Sequence, residues 1–239
     1  MKLTTAAILV LCAPSLAFDL VGNDWKFDRA TPAGLSDITF PFNMANAPHR
    51  SGYYFALQPN FRNVSKVAYT GLQPHEDSKG NNIFHATGTT TKDPNCRTGA
   101  DSGPGVSCAI DIKGSYWHNY NLVVENTRDT TWRGGLVDTR TGVSTVVGEW
   151  TLPKGSGKIV NGQLGFVEYY TWSGLSSHTC DLLPYTRAIF YNPTSKARGA
   201  SGGKVTEVYE YGDCVGKVDY SVVRKFWRYN IKVGFKKRA

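Results

Sequence analysis

The sequence predicts an all-β protein: an antiparallel β-sandwich or jelly roll, folded as a single domain and held by two disulfides. Three observations lead there. No window of a dozen residues keeps the i, i+3, i+4, i+7 apolar stripe of a helix, and Gly, Pro, Asn, Ser and Thr interrupt throughout. Short segments of alternating polarity recur instead, at a spacing of roughly 10–15 residues typical of sandwiches. Four cysteines lie beyond a leader-like start, an even number that suits two bridges.

The leader comes first in the chain. Lys2 is followed by the apolar run Ala6 to Cys12, and Ser15 and Ala17 stand at the −3 and −1 positions of a cleavage site. Residues 1–17 therefore read as a signal peptide, and 18–239 as one secreted, extracellular domain. The apolar run falls short of the roughly 20 residues that span a bilayer, and no later segment reaches that length.

Strands are expected at 51–58, 64–72, 81–88, 107–113, 120–127, 131–139, 144–152, 162–172, 186–191, 205–212 and 228–235, each an alternating stretch. They imply more than a third of the domain in strands. The clearest hairpin joins 131–139 to 144–152. Trp132, Leu136 and Asp138 share a face, Gly142 supplies the positive φ of the turn, and Pro153 ends the return arm. Segments 92–108 and 173–184 read as long polar loops, each with a cysteine, and 192–203 as a mobile Gly/Ser-rich connection.

Cys12 leaves with the leader, so Cys96, Cys108, Cys180 and Cys214 remain, with three connectivities open. Pairing neighbours, Cys96–Cys108 and Cys180–Cys214, is the simplest, each bridge contributing about 3 kcal/mol in the chain-entropy model. "NVS" makes Asn63 the one acceptable glycosylation site, since Pro193 spoils "NPT", and a glycoprotein is expected to expose it. The net charge of +8 sits late in the chain, around Lys196, Arg198, Arg224, Lys225, Arg228, Lys232 and "KKR" at 236–238. It reads either as a basic surface for anionic polymers or as a solvated tail. An exported protein without a nucleic-acid motif is not expected to bind nucleic acid.

Chemistry concentrates on "QLGFVEYYTW" (163–172), where Glu168 stands among Phe166, Tyr169, Tyr170 and Trp172. Alternation puts Phe166, Glu168 and Tyr170 on one face. If that face is the core, Glu168 is buried and hydrogen-bonded; if it is a ligand face, Glu168 and Tyr170 meet solvent or substrate. Glu149 and Glu207 are the candidate partners for paired-carboxylate catalysis, with Glu210 beside Glu207. Tyr170, Trp172, Trp150 and, in "SYWHNYN" (115–121), Trp117 are candidates to stack on sugar rings. No cofactor is expected. Calcium is the one ion that acidic loops at Glu76, Asp77, Asp101 and Asp111 can take, although Asx turns explain them equally. His49, His75, His85, His118 and His178 fall in separate segments without metal-site spacing, so no metal ligands are assigned.

Two resemblances bear on this. "LGFVEYY" (164–170) resembles the strand around the nucleophilic glutamate of the jelly-roll xylanases, which implies Glu168 as nucleophile and Glu207 or Glu210 as acid. "YTGLQP" (69–74), "FHAT" (84–87), "DSGPGVSCAID" (101–111), "TWRGGLVDTRTG" (131–142), "GEWTLP" (148–153), "GFVEYY" (165–170) and "YEYGDCVG" (209–216) are similar, in that order, to a family of secreted bacterial and fungal proteins catalogued as a domain of unknown function. That family implies one secreted domain and leaves the chemistry open. The resulting expectation is a secreted monomer that binds cell-wall or host glycans. A paired-glutamate glycoside hydrolase or lyase, and a secreted effector or toxin, are the alternatives. Whether the protein is an enzyme stays open.

Overall fold

The computed structural model describes residues 19–75, 79–86, 90–100, 103–173, 175 and 177–236, with backbone alone for Asp19 and 79–86. The leader at 1–17, Glu76, Asp77, Asp101 and the last three residues lie outside the described residues.

Fifteen strands run through the described residues: β1 (Asp19–Arg29), β2 (Asp37–Asn43), β3 (Tyr53–Leu57), β4 (Tyr69–Pro74), β5 (Lys79–Ala86), β6 (Cys96–Ala100), β7 (Gly103–Lys113), β8 (Tyr120–Arg128), β9 (Thr131–Asp138), β10 (Ser144–Thr151), β11 (Gly162–Tyr169), β12 (Thr186–Tyr191), β13 (Ser201–Glu210), β14 (Tyr220–Lys225) and β15 (Arg228–Val233). More than half of the described residues are in strands. The helical content there is two 3₁₀ turns, Tyr170–Trp172 and Cys180–Leu182. No helix among them is long and apolar enough to cross a membrane.

The strands form two antiparallel sheets packed as a sandwich. The larger runs β13-β1-β11-β3-β4-β5-β7-β6, the smaller β10-β9-β8-β2-β12-β15-β14. Each contributes alternate apolar residues to the space between them. Val21, Trp25, Phe27, Phe55, Leu57 and Val167 come from the larger sheet, and Ile38, Phe40, Phe42, Trp132, Trp150 and Phe190 from the smaller. Rings meet across the gap, Trp25 on Phe40 at 5.2 Å and Phe42 on Phe55 at 5.4 Å between centroids.

Four strands lie where the sequence predicts none. β1 hides its buried set, Val21, Asn23, Trp25 and Phe27, among charges and a Gly-Asn pair. β2 carries Pro41 mid-strand, tolerated because β12 pairs only with Phe42 and Asn43. β14 is a largely exposed sheet edge. β6 occupies the segment read as a loop: Cys96 and Cys108 are direct cross-strand partners and form the first disulfide, so the staple lies within a β6–β7 hairpin. Cys180–Cys214 is the second disulfide. The expected strand 64–72 begins only at Tyr69, and 162–172 ends at Tyr169 in a 3₁₀ turn. The connection at 192–203 is pinned rather than mobile. Pro193 is buried, Thr194 exchanges backbone hydrogen bonds with Thr39, and the Lys196 N–H donates to Asp37 at 2.8 Å. Asn63 is exposed in a turn, as glycosylation requires.

Gly148 on β10 faces the first disulfide from the opposite sheet. A Cβ there would come within 2.6 Å of Cys108 Sγ and closer still to Cys96 Sγ. A cross-linked pair cannot rotate away, so Gly148→Ala is expected to overpack the site and destabilise by about 1–3 kcal/mol, read as a lowered Tm. An unchanged Tm would show that the strands can part there without cost.

Candidate functional site

The alternation of β11 decides which face Glu168 takes. Val167 lies in the core between the sheets and Tyr169 packs against it, while Leu164, Phe166 and Tyr170 join an outer cluster with Tyr54, Ala56 and Tyr69. Glu168 is thus half-buried on the outer face of the larger sheet. The face that Phe166, Glu168 and Tyr170 share is therefore not the core between the sheets.

The floor of that face is aromatic. Tyr54, Tyr69 and Phe166 meet pairwise edge to face, their centroids 5.8–5.9 Å apart. Small residues make room for the rings. A Cβ on Gly71 would lie 2.7 Å from Tyr54 Cε2, and one on Gly22 would lie 2.8 Å from the Tyr209 hydroxyl. Tyr209 in turn hydrogen-bonds Asp24 at 3.2 Å. Burial, and then the Asp24 carboxylate, push its phenol upward.

Register brings a second polar side chain into line. β11 sets Glu168 opposite Tyr54. One position beyond the Phe55–Leu72 pair, the β3–β4 register sets Gln73 across from Tyr54 on the other side. Gln73 shares the outer face with Gly71, two residues earlier on the same strand. Gln73, Tyr54 and Glu168 therefore form one row across three strands, with the outer two separated by two strand spacings, about 10 Å between Cα atoms. The Tyr54 ring leans over Gly71, one row along, so it does not stand between the carboxamide and the carboxylate.

The chain after β11 builds a wall beside this row. Ser173 Oγ donates to Glu168 Oε1 at 2.8 Å, and the Tyr170 hydroxyl accepts the Gly52 N–H at 3.0 Å. Trp172 stands edge-on to Tyr169 at 5.1 Å and lies beside His178 at 5.0 Å. The Cys180–Cys214 bridge ties the loop down, and Glu210 accepts the Gly216 N–H beyond it at 3.0 Å. His178, Cys180 and Cys214 cluster within 4.8 Å, but both sulfurs are spent in the disulfide. A carboxylate facing a neutral amide can take and return a proton while the amide N–H stabilises a developing oxyanion.

The other sequence candidates lie elsewhere. Glu149 is on β10 in the opposite sheet, beside a groove of about 750 Å³. There it is paired with Arg133 at 3.4 Å and Arg128 at 3.6 Å, and its backbone N–H and C=O hold Asp93 and Thr91. Glu207 is on the same sheet as Glu168, but two strands away and, through the Asp24–Leu164 pair, four residues along. That is about 10 Å and 13 Å in the two directions, beyond the separation glycoside hydrolysis needs. Trp150 is 1% exposed and belongs to the core, because β10 turns that side inward. Trp117 is 73% exposed on the β7–β8 connection, and Trp172 is half-buried in the wall loop. Asp111 is exposed on β7, while Glu76, Asp77 and Asp101 lie outside the described residues. Sequence reading missed Gln73, Tyr54 and Ser173. Alternation in "YTGLQP" already puts Tyr69, Gly71 and Gln73 on one face, but only strand order aims that face at Glu168.

No protein-family profile matches the chain, and no curated protein does. Solved structures similar to it include SCP-B, a member of the eqolisin family of peptidases in complex with the tripeptide Ala-Ile-His. It is 11% identical, with a TM-score of 0.48, over 92% of this chain and 100% of that one. Scytalido-glutamic peptidase is similar at 12% identity over 90% of this chain and 98% of that one. Its TM-score is 0.47 with a transition-state analogue inhibitor bound and 0.48 with a peptide-based analogue. These neighbours are peptidases rather than glycan-binding proteins, and the glycan-binding expectation is corrected accordingly. The buried Trp150 and the scattered glutamates agree with that correction.

Proposed function

We propose that this protein cleaves peptide bonds at the outer face of its larger sheet, with Glu168 as general base and acid and Gln73 as oxyanion donor. The observation that carries the reading is the Gln73–Tyr54–Glu168 row: one half-buried carboxylate and one half-buried carboxamide stand two strands apart on the same face, beside an aromatic cluster. Glu168 takes a proton from a water molecule, whose oxygen bonds to the scissile carbonyl carbon. The resulting oxyanion accepts a hydrogen bond from the Gln73 amide. Protonated Glu168 then delivers its proton to the amide nitrogen, the C–N bond breaks, and a carboxylic acid and an amine leave. Ser173 orients the carboxylate through its hydrogen bond to Oε1. A sugar acetal would call for a second carboxylate; Glu149 and Glu207 do not supply it, and Glu210, two strands from Glu168 by way of the Val21–Val167 pair, is engaged by the Gly216 N–H. An acyl carbon needs one proton carrier and one oxyanion donor. Scytalido-glutamic peptidase, one of the solved neighbours, is named for a glutamate, and a glutamate is the residue this geometry selects. Export belongs to the same proposal, since two disulfides suit an oxidising compartment.

The test is incubation with a diverse peptide mixture and mass spectrometry of the products. New termini at defined bonds, absent with Glu168→Gln, are expected. Intact peptides with wild-type protein across the pH range would overturn the reading.

A further inference from the structure

The hairpin between β14 and β15 ends in two residues, Phe226 and Trp227, because Lys225 and Arg228 form the last pair of the ladder. Both tip side chains are aromatic and both project into solvent, Phe226 at 88% and Trp227 at 63% exposure. Their rings lie side by side, 5.6 Å apart. The backbone at Phe226 is left-handed, with φ of +46°. Among the described residues the other two non-glycine residues with positive φ are Asn63 and Asp129, types that tolerate it; a bulky ring does not. Glycine or asparagine would relieve the strain at such a turn. The tip thus combines an unfavourable conformation with exposed apolar surface. Local strain of this kind accumulates where a function maintains it.

The surroundings specify the partner. Arg224, Lys225 and Arg228 flank the rings and are all exposed, with the Arg224 guanidinium 5.6 Å over the Tyr229 ring. No Asp or Glu occurs from Tyr220 to the end of the chain. The adjoining connection, whose Asn192 N–H donates to the Trp227 carbonyl at 2.9 Å, carries the exposed Lys196 and Arg198 further along the chain. Two rings at a protruding tip, collared by cations, match a surface that is apolar a few ångströms in and anionic at its rim. A second copy of the chain would present the same collar and be repelled, and two residues cannot bury the area of a standard protein interface. We infer that the β14–β15 tip docks on anionic lipid bilayers, Phe226 and Trp227 entering the interface while Arg224, Lys225 and Arg228 hold the headgroups. The tip belongs to the smaller sheet and Glu168 to the larger, so this inference does not rest on the peptidase reading.

The experiment is co-sedimentation of the full chain with large unilamellar vesicles, of phosphatidylcholine alone or with phosphatidylglycerol added. Binding to the anionic vesicles is expected, with a blue shift of tryptophan emission that Trp227→Phe diminishes. Phe226→Gly with Trp227→Ser suits the observed turn, in which the first of the two tip residues has positive φ, so it should raise Tm while weakening vesicle binding at least about tenfold. Arg224→Gln with Lys225→Gln and Arg228→Gln should keep the fold and abolish the preference for anionic lipid. Trp227→Ser alone, which leaves the backbone at Phe226 unaltered, repeats the binding test if the double variant fails to fold. Wild-type protein that ignores anionic vesicles would overturn the inference. So would a ring-deleted variant that binds as well as wild type, or self-association lost on ring deletion without any vesicle binding.

Discussion

Glu168→Gln is expected to leave the fold intact and to reduce peptide cleavage by about 10³–10⁴-fold. The substitution keeps the shape of the side chain and an oxygen that can still accept from Ser173, 2.8 Å away, so the wall loop has no reason to move. What it removes is the capacity to take a proton from water and give it to the leaving nitrogen. Gln73→Ala should cost about 10²–10³-fold, the usual consequence of deleting one oxyanion donor, with KM nearly unchanged because the donor acts on charge that develops only in the transition state. The double variant should fall well short of the product of the two losses, since residues that act as one unit are not additive. Steady-state kinetics on a peptide found in the cleavage screen, with circular dichroism as the folding control, measures all three. A Glu168→Gln variant retaining wild-type turnover would remove Glu168 from the chemistry. A null Gln73→Ala would leave the carboxylate without its proposed partner.

The sequence carries much of the fold because side-chain alternation is a local property. The β9–β10 hairpin shows it: Trp132 and Leu136 are buried as the period of two demands, and Gly142 has φ of +75°. Neighbouring cysteines paired because a hairpin and a surface loop bring each pair together. Strand order was not legible in the same way. Glu149 and Glu168 are separated in sequence by a single connection, yet that connection changes sheets, and no local pattern marks the crossing. Gln73 and Glu168 are far apart in sequence, but β3 lies between their strands and aligns them. Trp150 looked like a stacking platform because an aromatic beside a glutamate has the same appearance whichever face points inward. The half-buried position of Glu168 was legible only as a pair of alternatives, which depended on whether Val167 or Phe166 faced the opposite sheet.

The largest expected effect on stability is alkaline. Tyr53 is almost wholly buried, parallel to the Phe55 ring and tilted against Tyr169, and its hydroxyl donates to the Pro184 carbonyl. Burial first, and then the neighbouring Tyr169 phenol, raise its pKa far above that of a free tyrosine. Tyr120, also buried, is pushed up to about 12, by desolvation first and then by the Asp138 carboxylate. An acid whose pKa is higher in the folded than in the unfolded state leaves stability intact below the unfolded value, near 10 for tyrosine. Above that pH the unfolded chain loses the proton and the folded one keeps it, so stability falls until the folded pKa is passed. Tyr120 alone should account for roughly 2–3 kcal/mol by pH 12, and Tyr53 adds to it. Together they remove a large share of the about 5–15 kcal/mol that holds a domain folded. Tm is therefore expected to stay nearly level from pH 7 to about 9.5 and to drop steeply from about 10 to 12. Tyr53→Phe should separate the two roles of the hydroxyl. At pH 8 it leaves the Pro184 carbonyl without its donor and costs about 1–3 kcal/mol. Above pH 10 it has no phenol to ionise, so its melting curve should descend less steeply and converge on that of the wild type. Parallel curves for the two proteins across the alkaline range would show that Tyr53 ionisation does not drive the loss.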